Sequence, residues 1–152
     1  MKIVNGGVVS KLLQGTEIPR MFHARQSFPE AAISPQDLPQ VIFAELSQPE
    51  IASQIKPGMR IAITAGSRGI ANVAIITKAI VDFVKTRQAA PFIVPAMGSH
   101  GGATSEGQLE VLASYGITPE SIGCPIHSSM ETVLLGQSEL GKPVFLDKLA
   151  YE

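Results

Sequence analysis

The chain has 152 residues, of which 45% are hydrophobic and 16% are charged, and its formal net charge is −1. This length predicts one domain with a sizeable core. The near-neutral charge provides no basic excess for binding phosphodiester backbones, so it argues against a nucleic-acid partner. The low charged fraction indicates either a parallel sheet covered by helices or a surface that packs against another domain or chain, a second copy of this chain included.

Cysteine content and apolar runs indicate the compartment. Cys124 is the single cysteine, so no intramolecular disulfide can form. The first fifteen residues lack the apolar region of a signal peptide, because polar and glycine residues at positions 5–7 interrupt them. No apolar run approaches the roughly 20 residues of a membrane span. We therefore expect a cytoplasmic protein with no membrane partner.

Residues 1–57 are predicted to form an N-terminal arm, with a β-like beginning followed by one or two short helices. Ser34 is a candidate N-cap because proline follows it at the first helical position. Pro57-Gly58 marks the strongest boundary, since the pattern changes after it. Residues 58–152 are the predicted βαβα core, and arm and core together are expected to form a single domain.

A strand, a loop and a helix follow one another twice in this core. The first strand is predicted over 60–65 and its helix over about 72–87, where apolar residues recur at spacings of three and four. The second strand is predicted over 92–96 and its helix over about 105–115. This repetition indicates a right-handed crossover and a parallel sheet.

The start of the second helix and the tail complete the predicted fold. Ser105 and Gln108 have the spacing of a capping box. Residues 131–152 hold two apolar runs around a glycine-bearing connection, which favours two more strands or a hairpin. We predict an α/β fold: an open, mainly parallel Rossmann-like sheet with flanking helices and an additional β element near the ends.

Two loops of similar composition follow the two predicted strands. They read Ala-Gly-Ser-Arg-Gly at 65–69 and Met-Gly-Ser-His-Gly at 97–101. Because neighbouring parallel strands end at the same edge of a sheet, Arg68 and His100 are expected to face one cleft. Arginine can hold a carboxylate or phosphate by two parallel hydrogen bonds, and an imidazole can exchange a proton near neutral pH. The sequence therefore predicts an anion site in which Arg68 positions the ligand and His100 reacts.

The other loop residues are predicted to bring the backbone close to a ligand. Glycine lets N–H groups approach a bound anion, so we expect Gly66, Gly98, Ser99 and Gly101 to contact the ligand, and any cofactor that the complete protein binds. Neither loop is a Walker phosphate loop or a dinucleotide fingerprint, since neither Lys-Ser/Thr nor Gly-x-Gly-x-x-Gly is present. A nucleoside triphosphatase is therefore disfavoured.

Four further residues are weaker candidates. His23 is expected to make a structural hydrogen bond in a strand-like segment, and His127 would approach the cleft if its strand joined the same sheet. Cys124 is expected to be a small core residue, since nothing nearby in sequence lowers the pKa of its thiol. Ser99 is the nucleophile that a cofactor-free hydrolase or lyase would need, and no acid that could orient it is visible in the sequence.

Three blocks carry a resemblance to a known family. They are "TAGSRG", "PAMGSHGGATSEGQLEVL" and "IHSSMETVLLGQSELGKPVFLDKLAYE", within residues 57–152. In order and spacing they resemble the amino-terminal domain of the lactate racemase family, whose enzymes use a nickel pincer nucleotide. The resemblance implies that His100 is a catalytic acid/base and that Arg68 and Ser67 bind the substrate, a small 2-hydroxy acid. It implies that His100 takes the hydroxyl proton while the cofactor accepts hydride from C2, and that return of hydride to the other face inverts this carbon.

The chain also departs from the family pattern. The family's acid, three residues before the arginine, falls on Ala65, and its following proline falls on Gly69. The family's cofactor-bearing lysine, second catalytic histidine and nickel histidine come after the block that residues 142–151 resemble, and none can be assigned here. The resemblance thus implies the N-terminal part of a longer two-domain enzyme, completed by a missing C-terminal domain or a second chain. We expect this chain alone to hold no metal or cofactor, and a non-enzymatic anion-binding domain is the alternative.

Overall fold

A computed structural model describes residues 7–8, 11, 14–16, 20–27 and 33–152. The chain divides into two compact units, Met1–Ala31 and Ala32–Glu152. In the first unit, residues 20–27 are exposed and form neither helix nor strand, so the strand suggested around His23 is absent from this described segment. The prediction of a β-like beginning was also wrong at its other described positions, because Val8 and Lys11 are helical and residues 14–15 form a turn. The remaining residues of this beginning lie outside the described ones.

Two short helices precede the sheet, as predicted. Helix α1 spans Leu38–Leu46 and helix α2 spans Pro49–Ala52. The prediction that Ser34 caps α1 was wrong, because the helix begins four residues later and Asp37 is its N-cap. The Ser34 hydroxyl accepts the Gln36 amide at 3.2 Å in the turn that precedes α1. The Ser34 carbonyl also accepts the amide of Asp37 at 3.0 Å, and α1 begins only after this turn.

A two-stranded parallel sheet forms the centre of the second unit. Strand β1 spans Arg60–Ala65, the predicted range, and strand β2 spans Ala90–Pro95. In their register, Arg60 pairs with Ala90 at one end and Ala65 pairs with Pro95 at the other. The two strands therefore end side by side.

A short bridge extends this sheet on the far side of β2. The Ile93 amide donates to the Pro125 carbonyl at 2.9 Å, and the His127 amide donates to the Ile93 carbonyl at 2.9 Å. Ile93 and Ile126 form an isolated parallel bridge. The order across the sheet is thus β1, β2 and the bridging segment.

Three helices follow the sheet strands. Helix α3 spans Val73–Thr86, helix α4 spans Ser105–Ser114 and helix α5 spans Pro119–Ile122. α3 connects the two strands and packs against α1, where the rings of Phe43 and Phe83 meet edge to face with centroids 5.5 Å apart. The two predicted strand-loop-helix units are confirmed.

The start of α4 differs from the prediction. Thr104 is the N-cap, and its hydroxyl accepts the Gly107 amide at 3.1 Å. The predicted capping box of Ser105 and Gln108 was wrong, because Ser105 is already helical and the side chain of Gln108 bonds elsewhere.

The core lies between the parallel sheet and the helices around it. Its fully buried side chains are Ile93, Leu112, Ile117, Ile122, Val81 and Val84. Cys124 belongs to the same cluster, so the prediction that it is a small core residue is confirmed. Burial raises the pKa of its thiol, although the nearby Lys85 opposes this effect. The thiolate needed for nucleophilic chemistry is therefore disfavoured.

The tail forms a separate antiparallel hairpin followed by one helical turn. Strand β3 spans Thr132–Gln137, strand β4 spans Pro143–Asp147 and helix α6 spans Lys148–Tyr151. The Lys148 ammonium donates to the Glu131 carboxylate at 2.8 Å, and this contact lowers the pKa of Glu131 and raises that of Lys148. The expected additional β element is thus present as a hairpin.

The described architecture is mixed α/β, with one two-stranded parallel sheet and one two-stranded antiparallel sheet. The α/β class and the parallel pairing of β1 with β2 are as predicted. The described residues do not form the larger open sheet that was also predicted. Within the same residues, no helix is both long enough and apolar enough to cross a membrane.

Candidate functional site

A cleft of about 540 Å³ opens where β1 and β2 end. The paired ends of the strands lead directly into the two glycine-containing loops, and the Ala96 amide donates to the Ala65 carbonyl at 2.8 Å just beyond them. The cleft is lined by Gly66, Ser67, Arg68, Ile70, Ala96, Met97, Gly98, Ser99 and His100. The structure therefore brings Arg68 and His100 to one cleft, together with most of the other predicted site residues.

A hydrogen bond joins the two loops across this cleft. The Ser67 hydroxyl oxygen lies 2.6 Å from His100 Nδ1. Ser67 is half-buried, whereas His100 is exposed, so the imidazole is held on one side and open to solvent on the other. Within the described residues, His100 Nε2 has no hydrogen-bond partner, which leaves this nitrogen for a ligand.

Helix α4 fixes both loops through two side chains that the sequence did not single out as site residues. Gln108 is 5% exposed, and its side-chain amide donates to the Gly98 carbonyl at 2.9 Å. Tyr115, the residue after α4, donates its hydroxyl proton to the Ser67 carbonyl at 2.7 Å. The two residues are seven positions apart, about two helical turns, so they lie on the same side. That spacing is the one sequence signal that could have linked them.

Arg68 is an exposed cation at the cleft. The ion pairs within the described part of the chain join Lys78 to Asp82 and Lys148 to Glu131, and Arg68 takes part in neither. No hydrogen bond of its guanidinium to another described residue is formed, so its planar set of donors is available to an anion.

Backbone amides add to the donors at the cleft. Those of Gly66, Ser67, Arg68, Gly98 and Ser99 donate to no acceptor among residues 33–152. Gly98 has a φ of +58°, in the left-handed region that glycine adopts readily. The residues that line the cleft thus carry both unpaired N–H donors and a cation, groups that suit a carboxylate or phosphate oxygen.

Gly101 has a different position from the one predicted. It is not among the lining residues of the cleft, and it packs on the start of α4. With φ at +65°, a Cβ built on Gly101 would lie 2.6 Å from the Gln108 amide nitrogen, against the backbone of Gly107. Gly101 therefore lets the second loop approach the helix closely.

The remaining histidines lie elsewhere. His127 packs its ring edge to face on Phe92, with centroids 5.5 Å apart, and is not a lining residue of the cleft. Its amide pairs with Ile93, in the middle of β2, and not with the end of that strand. His23 is an exposed residue of the first unit. The segment before His127 does bridge to β2, but His127 itself does not reach the cleft.

The described residues contain no group of three or more His, Cys, Asp and Glu side chains that could hold a metal ion. His100 is the one cleft residue with a side chain of this kind, and Ser67 already contacts one of its two ring nitrogens. The donor set at the cleft does not fit a nickel site, because such a site needs several nitrogen or sulfur ligands.

No protein-family model, curated protein or solved structure matches this chain. The cleft itself carries a histidine with one ring nitrogen in contact with Ser67, an exposed arginine and several backbone amides that are unpaired within the described residues.

Replacing Gly101 by Ala is expected to destabilise the chain more than replacing Gly102 by Ala. Both residues have positive φ, +65° and +68°, so both variants incur a cost of about 1–2 kcal/mol for the left-handed region. Only at Gly101 does the new Cβ meet backbone, since nothing lies within 4 Å of it at Gly102. Urea unfolding followed by circular dichroism should show an extra loss of about 1–3 kcal/mol for Gly101→Ala. Equal unfolding free energies would contradict the close packing of this loop on α4.

Proposed function

We propose that this chain supplies the carboxylate-binding and proton-transferring groups of a 2-hydroxy acid racemase or epimerase. The observation that carries the proposal is the convergence of Arg68 and His100 on one cleft at the ends of two parallel strands. Ligands bind at this edge in open α/β sheets. The cleft volume of about 540 Å³ is within the range of small-molecule sites.

Arg68 is proposed to hold the substrate carboxylate. Its guanidinium forms no ion pair with another described residue, and two parallel N–H donors match the two oxygens of a carboxylate. The free amides of the first loop lie beside it in the chain and would donate to the same oxygens. A carboxylate held at two points would stay bound while the rest of a planar intermediate turns.

His100 is proposed to accept the hydroxyl proton at Nε2 and to return it. The other ring nitrogen, Nδ1, is in contact with Ser67, so Nε2 is the nitrogen left to contact a ligand. Loss of the hydroxyl proton to His100 accompanies loss of hydride from C2, and together these convert a 2-hydroxy acid into a 2-keto acid.

The hydride requires an acceptor that this proposal does not assign to the described residues. In the lactate racemase family that the sequence resembles, hydride acceptance is the chemistry that a nickel pincer nucleotide would supply. Because the cleft lacks a metal-binding group among its described residues, we assign the hydride acceptor to a further domain or a second chain. This chain then contributes the carboxylate contact and the proton transfer.

The surface of the second unit supports such an arrangement. Large apolar side chains on and beside the hairpin are exposed, including Leu134 at 61%, Leu140 at 86% and Phe145 at 57%. An exposed apolar surface of this kind is typical of a region that packs against another domain. The proposal therefore includes an open Rossmann-like sheet completed outside the described residues. It also includes the cytoplasm as compartment, in keeping with the unpaired thiol of Cys124.

Replacing His100 by Ala is expected to abolish racemisation in the full-length natural protein. Loss of a general acid/base lowers kcat by about 10²–10⁴-fold. His127→Ala is the matched control, because His127 packs on Phe92 outside the cleft, and its rate should equal that of the unchanged protein. Interconversion of L- and D-lactate and longer 2-hydroxy acids, followed by chiral chromatography, measures the rates. Near-normal turnover by His100→Ala would contradict the proposed proton transfer.

Replacing Arg68 by Lys is expected to raise KM for the 2-hydroxy acid about tenfold, equivalent to about 1.4 kcal/mol, with a smaller change in kcat. The reason is that lysine cannot reproduce the two parallel hydrogen bonds. Arg60→Lys is the control, since Arg60 begins β1 at the end away from the cleft and lies over the ring of Phe92.

An unchanged KM for Arg68→Lys would contradict the carboxylate contact. If the unchanged full-length protein binds lactate or inorganic phosphate and converts no 2-hydroxy acid, the alternative of a non-enzymatic anion-binding domain replaces the racemase.

A further inference from the structure

We infer that Ser67 is a positioning residue that holds neutral His100 with its proton on Nδ1, so that Nε2 carries the lone pair. The inference rests on the proposed function, because either atom of this contact can donate and only an Nδ1–H leaves Nε2 able to take a substrate proton. The 2.6 Å contact between the Ser67 hydroxyl and Nδ1 carries it. This role differs from the direct substrate contact that the sequence resemblance implied for Ser67.

The position of Ser67 is set by the rest of the second unit. Tyr115 donates to the Ser67 carbonyl at 2.7 Å and thereby ties the first loop to the end of α4. Gln108, earlier on the same helix, ties the second loop through Gly98 at 2.9 Å. Both loops are thus attached to α4 or to the residue that ends it. The Ser67–His100 contact is therefore part of the built structure of the cleft.

The contact with Ser67 matters because it can decide which ring nitrogen of His100 carries the proton. A neutral imidazole has one N–H donor and one lone-pair acceptor, and the partner of one nitrogen decides which is which. A serine hydroxyl can accept from Nδ1–H while its own hydrogen turns toward water or a ligand oxygen. Nε2 is then an acceptor, and it can take a proton from a substrate hydroxyl.

The opposite orientation would give a different site. If Ser67 donated to Nδ1, the ring proton would be on Nε2, and His100 could not act as a base toward the cleft. Within the described residues, Nδ1 has no hydrogen-bond partner other than the Ser67 hydroxyl. The tautomer with its proton on Nδ1, which leaves Nε2 free to act as a base, therefore depends on Ser67.

The tautomer can be measured directly on the chain without substrate. In a sample with ¹⁵N-labelled histidine, at a pH well above the titration of histidine side chains, long-range ¹H–¹⁵N spectra separate protonated from unprotonated ring nitrogens. We expect Nδ1 of His100 to be the protonated nitrogen. Ser67→Ala should move the proton to Nε2, and Ser67→Thr, which retains a hydroxyl, should restore the original pattern.

Ser114→Ala is the matched control, because the Ser114 hydroxyl bonds within α4 to Val111 and should leave the tautomer unchanged. If Ser67→Ala does not fold, Ser67→Gly removes the same hydroxyl. A proton on Nε2 in the unchanged chain would overturn the inference and show that Ser67 is the donor. The same tautomer with and without the Ser67 hydroxyl would also overturn it.

Activity measurements separate this inference from the proposed function. In the racemisation assay, Ser67→Ala should lower kcat about tenfold or more, less than complete loss of the acid/base, with little change in KM. If the natural protein racemises no 2-hydroxy acid, the proposed function fails while the tautomer measurement still decides the role of Ser67.

Discussion

The parallel register of β1 and β2 is the constraint on which the site depends. Because Ala65 pairs with Pro95, both strands end at the same level and both loops begin at one edge of the sheet. A shift by one residue would separate Ser67 from His100 and would also turn alternate side chains to the opposite face. Ile93, buried completely between β1 and the bridging segment, ties this register to the hydrophobic core. Packing of the core and geometry of the cleft are therefore two consequences of one pairing.

Helix α4 adds the precision that strand pairing does not provide. Loops leaving a sheet edge can take many conformations, and a side chain on a loop has a fixed direction only when other groups hold it. Here Gln108 and Tyr115 hold one loop each, and Gly101 allows the second loop to pack against the helix. The two glycine-containing loops are thus held by hydrogen bonds and packing at α4 and Tyr115.

The sequence predicted the parts of this arrangement that depend on periodicity. β1 was predicted with its observed bounds and α3 within one residue at each end, because alternation and three-to-four spacing are local signals. The capping of α1 and α4 was mispredicted, since a turn delays the N-cap of α1 to Asp37 and Thr104 caps α4 one residue before Ser105. The Ser67–His100 contact spans 33 positions and the Tyr115–Ser67 contact spans 48, so no local pattern could reveal either.

Binding of a small carboxylate tests the central claim, that the two loops form one anion site, most directly. In ¹H–¹⁵N spectra of the chain titrated with lactate, the amides of residues 66–68 and 98–100 should shift together and fit a single Kd. Lactamide, which has the same hydroxyl and no charge, should produce much smaller shifts because it lacks the carboxylate that Arg68 would hold. Shifts confined to one loop, different Kd values for the two loops, or equal responses to lactate and lactamide would contradict a shared carboxylate site.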